Sequence, residues 1–443
     1  MAMFARRSLQ RLLDDLKETL SSADCAKLAH ELNRQNASAL GFEWELALLF
    51  ALSRVGSIAY EAESHEGPRR PDITFVEKDG PIRFVADVTT VSDAGLEVEN
   101  PVMRFSQSLH RLKRKYRLPG SLSYQVAAVT DGPTHRNRKT RLKLPKLSDL
   151  DRFLLEYVGP EFQRIADEKR TTASIIVNEP GVEFSVTYNE KQRYGSGGYP
   201  AYTAAQSRTR NPVYTALKAK ATQLKKSGAT GFRGIFLCDG GCALLSKTGR
   251  QHMEVGLDEV IAEFFRQNSS VAFVVVLLFP PPRVETFTGI VKELRITGQL
   301  YTNPRASNGV PERELMELIN RGLAQLPQPA ATPHDALRWI GRSGAHEGQT
   351  YKIIHYSGGF MTESIKLSAR QIQEVLAGRT TAKELFSQFD NPGRPFRNPF
   401  EAALRQGLTI ESVNLTKLAD ADDDLLEIRF GLADPAISKL RAG

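Results

Sequence analysis

The sequence predicts a mixed α/β (α+β) chain: a central mixed sheet flanked by helices, a large α/β insertion, and a small C-terminal α+β module. Three observations carry this expectation. Short apolar, β-branched runs at 73–76, 82–91, 232–238 and 271–279 alternate with stretches of helical period. The second and third runs are separated by a stretch, 92–211, with helices and strands of its own. A Pro/Ala-rich segment, Pro327–Pro333, precedes the tail.

In chain order, leucines at 9, 12, 13, 16 and 20 mark a first helix, and Ser21-Ser22-Ala23-Asp24 breaks it and supplies an N-cap for a second, Cys25–Asn33. Together they form an N-terminal helical segment, 1–40. Gly41 opens a third helix, apolar nearly all round. Strands follow at 57–63, 73–76 and 82–91, the last two joined by the turn Lys78-Asp79-Gly80-Pro81. Pro212 suits the first turn of a helix reaching Lys226, and two buried strands come after it. The core is therefore expected in two pieces, 41–91 and 212–282. The stretch 92–211 is the insertion, 283–333 a connecting segment and linker, and 334–443 a separate module. The loop Tyr194-Gly-Ser-Gly-Gly-Tyr199 lacks the setting of a phosphate loop and is expected to be flexible.

Composition narrows the function. The 443 residues are 41% hydrophobic and 25% charged, ordinary for a soluble protein. Three scattered cysteines exclude a disulfide framework and a Cys-x-x-Cys zinc site. The N-terminus does not read as an export signal, and the longest apolar run, Val271–Pro282, is too short to span a bilayer. A cytoplasmic protein without membrane association is expected. The net charge of +8 is unevenly spread. Residues 101–146 hold twelve Lys or Arg against the single acid Asp131. Arg111, Lys113, Arg114, Lys115, Arg117, Arg136, Arg138, Lys139 and Arg141 are the candidate phosphate contacts. The acidic cluster Asp420, Asp422, Asp423 and Asp424 near the end reads as a solvated loop.

Three carboxylates carry the chemical signal. Glu45 lies within the apolar third helix, where a buried acid is costly unless paired or metal-bound. Glu43 is less informative, because the first turn of a helix favours an acid anyway. Asp72 follows Pro71 at the start of a strand, and Asp87 interrupts the apolar strand Phe84–Thr89. Two aspartates on neighbouring strands repel each other, and a divalent cation relieves the repulsion. Oxygen-only ligands point to Mg2+ or Mn2+.

Trp44-Glu45-Leu46, then Pro71-Asp72, then Asp87-Val88-Thr89, then a helix with Lys220 and Gln223 and an apolar strand, is an order that resembles the PD-(D/E)XK nuclease superfamily. The resemblance covers 41–91 and 212–279 and implies a restriction-endonuclease-like core. It implies Asp72, Asp87 and the Val88 carbonyl as metal ligands, with Glu45 placing a second ion or its water. Thr89 stands where the superfamily has its motif lysine, and Lys220, supported by Gln223, is the expected substitute. The resemblance implies a Mg2+-dependent endonuclease acting on DNA, in restriction or phage defence. The reading from another class is a catalytically silent nucleic-acid-binding scaffold. Further partners to expect are a second copy of the chain or a defence-system protein.

Overall fold

The structure is a computed structural model. It describes residues 3–34, 39–61, 70–132, 139–192, 194–202, 207–226, 231–246, 255–279, 294–306, 309–333, 364–379, 381–382, 398–418 and 421–433. The chain divides into two compact units, Met1–Leu46 with Leu326–Gly443, and Ala47–Gln325.

The second unit is built on a six-stranded sheet. In chain order its strands are β1 (Gly56–Tyr60), β2 (Ile73–Glu77), β3 (Arg83–Val91), β10 (Phe232–Asp239), β11 (Phe273–Leu278) and β12 (Thr297–Thr302). Their spatial order is the same as their sequence order. β1, β2 and β3 pair antiparallel, β3, β10 and β11 parallel, and β12 returns antiparallel, so the sheet is mixed. β3, β10 and β11 are central and buried along most of their length, which is why they read as nearly continuous apolar runs.

The two faces differ. On one, Phe75 stacks on Phe84 at 4.8 Å, and Phe84 meets Phe273 edge-on at 5.5 Å. On the other, helix α8 (Pro212–Lys226) and helix α10 (Leu257–Gln267) pack Val213, Leu217, Leu224, Val260 and Phe264 against Ile235, Leu237, Val274 and Val276. Asp87 stands opposite Ile235 in the β3–β10 register and therefore faces α8.

Between β3 and α8 the chain forms a layer with its own core. It includes α4 (Ala94–Glu99), α5 (Val102–Lys115), β4 (Ser121–Val126), the hairpin strands β5 (Ala128–Asp131) and β6 (Lys139–Leu142), α6 (Leu150–Tyr157), α7 (Gly159–Asp167), β7 (Thr172–Glu179), β8 (Val182–Asn189) and the two-residue β9 (Gly197–Gly198), while the short α9 (Ala243–Ser246) follows β10. The sheet order is β7-β8-β4-β9, and Phe105, Phe162, Phe184 and Val186 fill the space beneath it.

The first unit holds α1 (Arg6–Leu16), α2 (Ser22–Leu32), the start of α3 (Ala39–Ser53) and a three-stranded antiparallel sheet near the C-terminus. That sheet has the order β13 (Ser364–Ser368), β15 (Leu425–Ala433), β14 (Leu408–Thr416). Ile365, Leu367 and Ile428 form its small core.

Three expectations change here. The Pro327–Pro333 stretch, expected as a linker, has a partner of its own: Ala330 and Ala331 both donate their N–H to Met3 O. The acidic cluster is not merely solvated. Asp424 takes the Arg7 guanidinium through both oxygens, at 2.6 and 3.2 Å, and that bond holds its carboxyl below the usual range. Asp423 Oδ1 accepts the N–H of Arg370, at 3.1 Å. Asp420 lies outside the described residues.

The third concerns α3. The acid that is buried is Glu43, 4% exposed, whereas Glu45 is half-buried. α3 begins at Ala39, so Glu43 is past the first turn. The segment Met3–Ala5, itself at most 2% exposed, donates its Met3 and Phe4 N–H to Glu43 Oε2 at 2.8 and 3.1 Å. Glu45 is two residues on, about 200° around the helix. Burial is the larger influence and pushes the Glu43 carboxyl up to about 7 against the pull of those two amides.

Candidate functional site

The site begins where the β2–β3 ladder ends. Ile73 pairs with Ala86, which sets Asp72 beside Asp87. Pro71 has no N–H to continue the ladder. The two aspartates complete it with side chains. Asp72 N–H donates to Asp87 Oδ1 at 3.1 Å, and Val88 N–H donates to Asp72 Oδ2 at 2.7 Å. Each carboxylate thus accepts a backbone amide from the neighbouring strand.

Lys220 closes the group. Its Nζ lies 2.8 Å from Asp72 Oδ2, with both side chains largely buried. α8 brings it there through its packing on β3 and β10. Leu217, Ala221 and Leu224 are buried, and Lys220 sits at the edge of that apolar stripe. Lys218, two residues earlier, is exposed.

Asp87 is fully buried, and its Oδ2 has no hydrogen-bond partner. Burial and the adjacent Asp72 push its carboxyl up to about 7, while Lys220 and the Asp72 amide pull the other way. A buried, unpartnered carboxylate oxygen beside a second carboxylate is a position that a cation would satisfy.

The structure thus brings Asp72, Asp87, the Val88 backbone and Lys220 together. Gln223 is half-buried one turn beyond Lys220 and makes no hydrogen bond to either aspartate. Glu45 stands on α3 in the first compact unit. Thr89 is half-buried and follows Val88 on β3. Among the described residues no group of three His, Cys, Asp or Glu side chains could hold a metal ion together. The donor set at this site is two carboxylates, which fits Mg2+, an ion that takes one or two carboxylates and completes its shell with water and phosphate.

Some of the basic residues of the insertion hold partners within it. Arg104 and Arg111 share Asp151 at 2.8 and 3.0 Å. Lys113 donates to Gly120 O, and Lys139 pairs with Glu99. Arg114, Lys115, Arg117 and Arg141 are exposed. Arg136 and Arg138 lie outside the described residues.

Sequence reasoning missed the two amide donors, although Pro71 just ahead of Asp72 signals where the ladder must hand over to side chains. It also missed Asp93 and Asp239, both buried. These serve the backbone: Asp93 accepts the Ala243 N–H, and Asp239 those of Gly241 and Cys242. Burial, with Asp93 beside it, pushes the Cys242 thiol up, which disfavours the thiolate.

Comparison of the chain with known protein families, with curated proteins and with solved structures finds no match. No helix among the described residues is long and apolar enough to cross a membrane.

Proposed function

We propose that this chain is a metal-dependent nuclease with a restriction-endonuclease-like core, hydrolysing phosphodiester bonds in DNA. The observation that carries the reading is the Asp72–Asp87–Lys220 group at the end of the β2–β3 ladder, with one Asp87 oxygen buried and unpartnered. Asp72 and Asp87 would hold Mg2+ or Mn2+. When bound, the ion supplies charge neutralisation at the phosphate and a lowered pKa for the attacking water. Lys220 supplies a fixed positive charge where negative charge builds on the phosphate oxygens, the role that Thr89 has no charge to fill. The Val88 and Asp72 amides keep the carboxylates from rotating away. The resemblance to PD-(D/E)XK nucleases adds restriction or phage defence to the proposal as its setting.

Two features favour a rival, a catalytically silent nucleic-acid-binding scaffold. Thr89 occupies the motif-lysine position, and Asp72 Oδ2 is already engaged by Lys220 and Val88. Cleavage of plasmid DNA with Mg2+ or Mn2+, against a chelated control, separates the readings. Lys220→Ala is expected to lower the cleavage rate by about 10²–10³-fold, the usual effect of losing one transition-state donor. Thr89→Lys should change little. Absence of metal-dependent cleavage by the wild type, on single- and double-stranded DNA alike, would leave the scaffold reading standing.

The exposed cations give a second expectation. Changing Arg114, Lys115 and Arg117 together to Ala should reduce the slope of log affinity against log salt by about 2–3, since each phosphate no longer neutralised lowers it by about 0.9. Changing Arg111 should alter the slope by less than one phosphate's worth, because Asp151 already holds it. Equal slopes for the triple variant and wild type would remove the end of α5 from the binding surface.

A further inference from the structure

The tail sheet ends on an open strand. β14 is at the edge of the β13-β15-β14 sheet, and among the described residues no strand lies on its outer side. An edge strand carries a row of backbone N–H and C=O groups that a second strand can take, and proteins commonly blunt such edges with proline or lysine. Leu408–Thr416 holds neither, and its one charge is Glu411. A bulge lies between Ile410 and Ser412, and from Ser412 to Thr416 the strand pairs with β15 in unbroken register.

One face of this strand is apolar. Val413 stands opposite Ile428, Leu415 opposite Leu426 and Ile410 opposite Phe430, so all three lie on the face that carries the sheet's core. Ile372 and Phe400, from the helices Ala369–Leu376 and Pro399–Arg405, pack on that core. Ile410, Val413 and Leu415 nevertheless remain 54, 51 and 54% exposed. An added strand would cover such a row and satisfy the open edge together. The sequence of β14 says which strand fits. Two copies related by a two-fold axis pair antiparallel, and the pleat allows only registers that keep the apolar faces on one side. Centring the pair on Val413 would set Glu411 opposite the partner's Leu415. Centring it on Leu415 would set Val413 opposite the partner's Lys417. Centred on Asn414, every pair is matched: Val413 meets the partner's Leu415, and Ser412 meets the partner's Thr416. The Asn414 amide meets its own copy, and an amide can both donate and accept. Just beyond the regular stretch, Glu411 comes near the partner's Lys417, and both are exposed.

We propose that β14 is a self-association surface: two copies of the chain join their tail sheets edge to edge, antiparallel about a two-fold axis at Asn414, into one six-stranded sheet. The proposal stands on the tail sheet alone and is independent of the nuclease reading.

Cross-linking of the full chain reads the register. Directly opposed residues of an antiparallel pair lie about 4.5–5.5 Å apart at Cα, within disulfide reach, so only the residue on the axis can bond to its own copy. The three native cysteines are buried. With diamide as oxidant, Asn414→Cys is expected to give a covalent dimer on a non-reducing gel, and Thr416→Cys to give none. Sedimentation supplies the second readout. The wild type is expected to dimerise, and Glu411→Lys, which sets like charges together twice per dimer, should weaken association about tenfold. Adding Lys417→Glu to Glu411→Lys restores opposite charges and should restore the dimer, which a folding defect would not do. A wild type that stays monomeric at every concentration reached overturns the proposal. So does a dimer that ignores the charge swap and does not cross-link through Asn414→Cys, because its copies then meet elsewhere. Equal cross-linking through Asn414→Cys and Thr416→Cys would mark random collision and would overturn it as well.

Discussion

Asp87→Ala is expected to abolish Mg2+- or Mn2+-dependent cleavage while leaving nucleic-acid binding unchanged or tighter. Asp87 is the more buried of the two carboxylates, and its Oδ2 is the one left without a partner. Removing it takes away half of the donor set proposed for the cation. Near a phosphate, however, an unfilled carboxylate repels the ligand, so its loss does not weaken the ground state. Asp87→Asn is the sharper control. It can keep an acceptor for the Asp72 N–H and remove only the charge. Cleavage rates and anisotropy titrations on the same preparations make the comparison. Full metal-dependent cleavage by Asp87→Asn would refute the proposed site, whatever else the core does.

Glu43 gives the largest expected effect on stability, and its sign depends on pH. Its carboxyl is raised from 4.5 to about 7, chiefly by burial. The stability linked to its proton is therefore fully present below about pH 4.5 and is lost as pH rises through about 7. Glu43→Gln can still accept from Met3 and Phe4 but carries no charge. It should be more stable than wild type at pH 8, by roughly 2–4 kcal/mol at 1.36 kcal/mol per pKa unit. The advantage should shrink to nothing near pH 4. Glu43→Ala should be destabilised at both pH values, since each orphaned amide costs about 1–3 kcal/mol. Denaturation midpoints at pH 4 and 8, with hydrogen exchange at Phe4, read the difference. A Gln variant less stable than wild type at pH 8 would show that the ionised form is the one the fold favours.

The parts of this structure legible in sequence are those set by local pattern. Alternation placed Asp87 on β3 with its face fixed, Pro71 marked the start of β2, and helical spacing separated Lys220 from Lys218. The illegible parts depend on residues far apart in the chain. Nothing local to α3 announces that Met3–Ala5 covers Glu43 and leaves Glu45 half-buried. Arg104 and Arg111 look like free cations until Asp151, at least forty residues later, is brought to them. β12 is a short, half-exposed edge strand with weak alternation, and β13 finds its partner β15 across a separation of about sixty residues. The glycines of the 194–199 loop suggest freedom when read alone. Only the presence of β4 beneath them shows that they permit close approach.

The ion pair between Arg7 and Asp424 has a consequence for how the chain matures. The first unit draws on residues 1–46 and 326–443, so its two contributions are separated by everything that builds the six-stranded sheet. During synthesis α1 leaves the ribosome hundreds of residues before the acids that bind it. The sheet unit, contiguous in sequence, can finish while the first unit is still half-made. Until then Arg7 lacks the Asp424 carboxylate that it holds in the finished fold. The nascent protein thus has an interval in which its sheet unit is complete and its first helix still waits for residues at the far end of the chain.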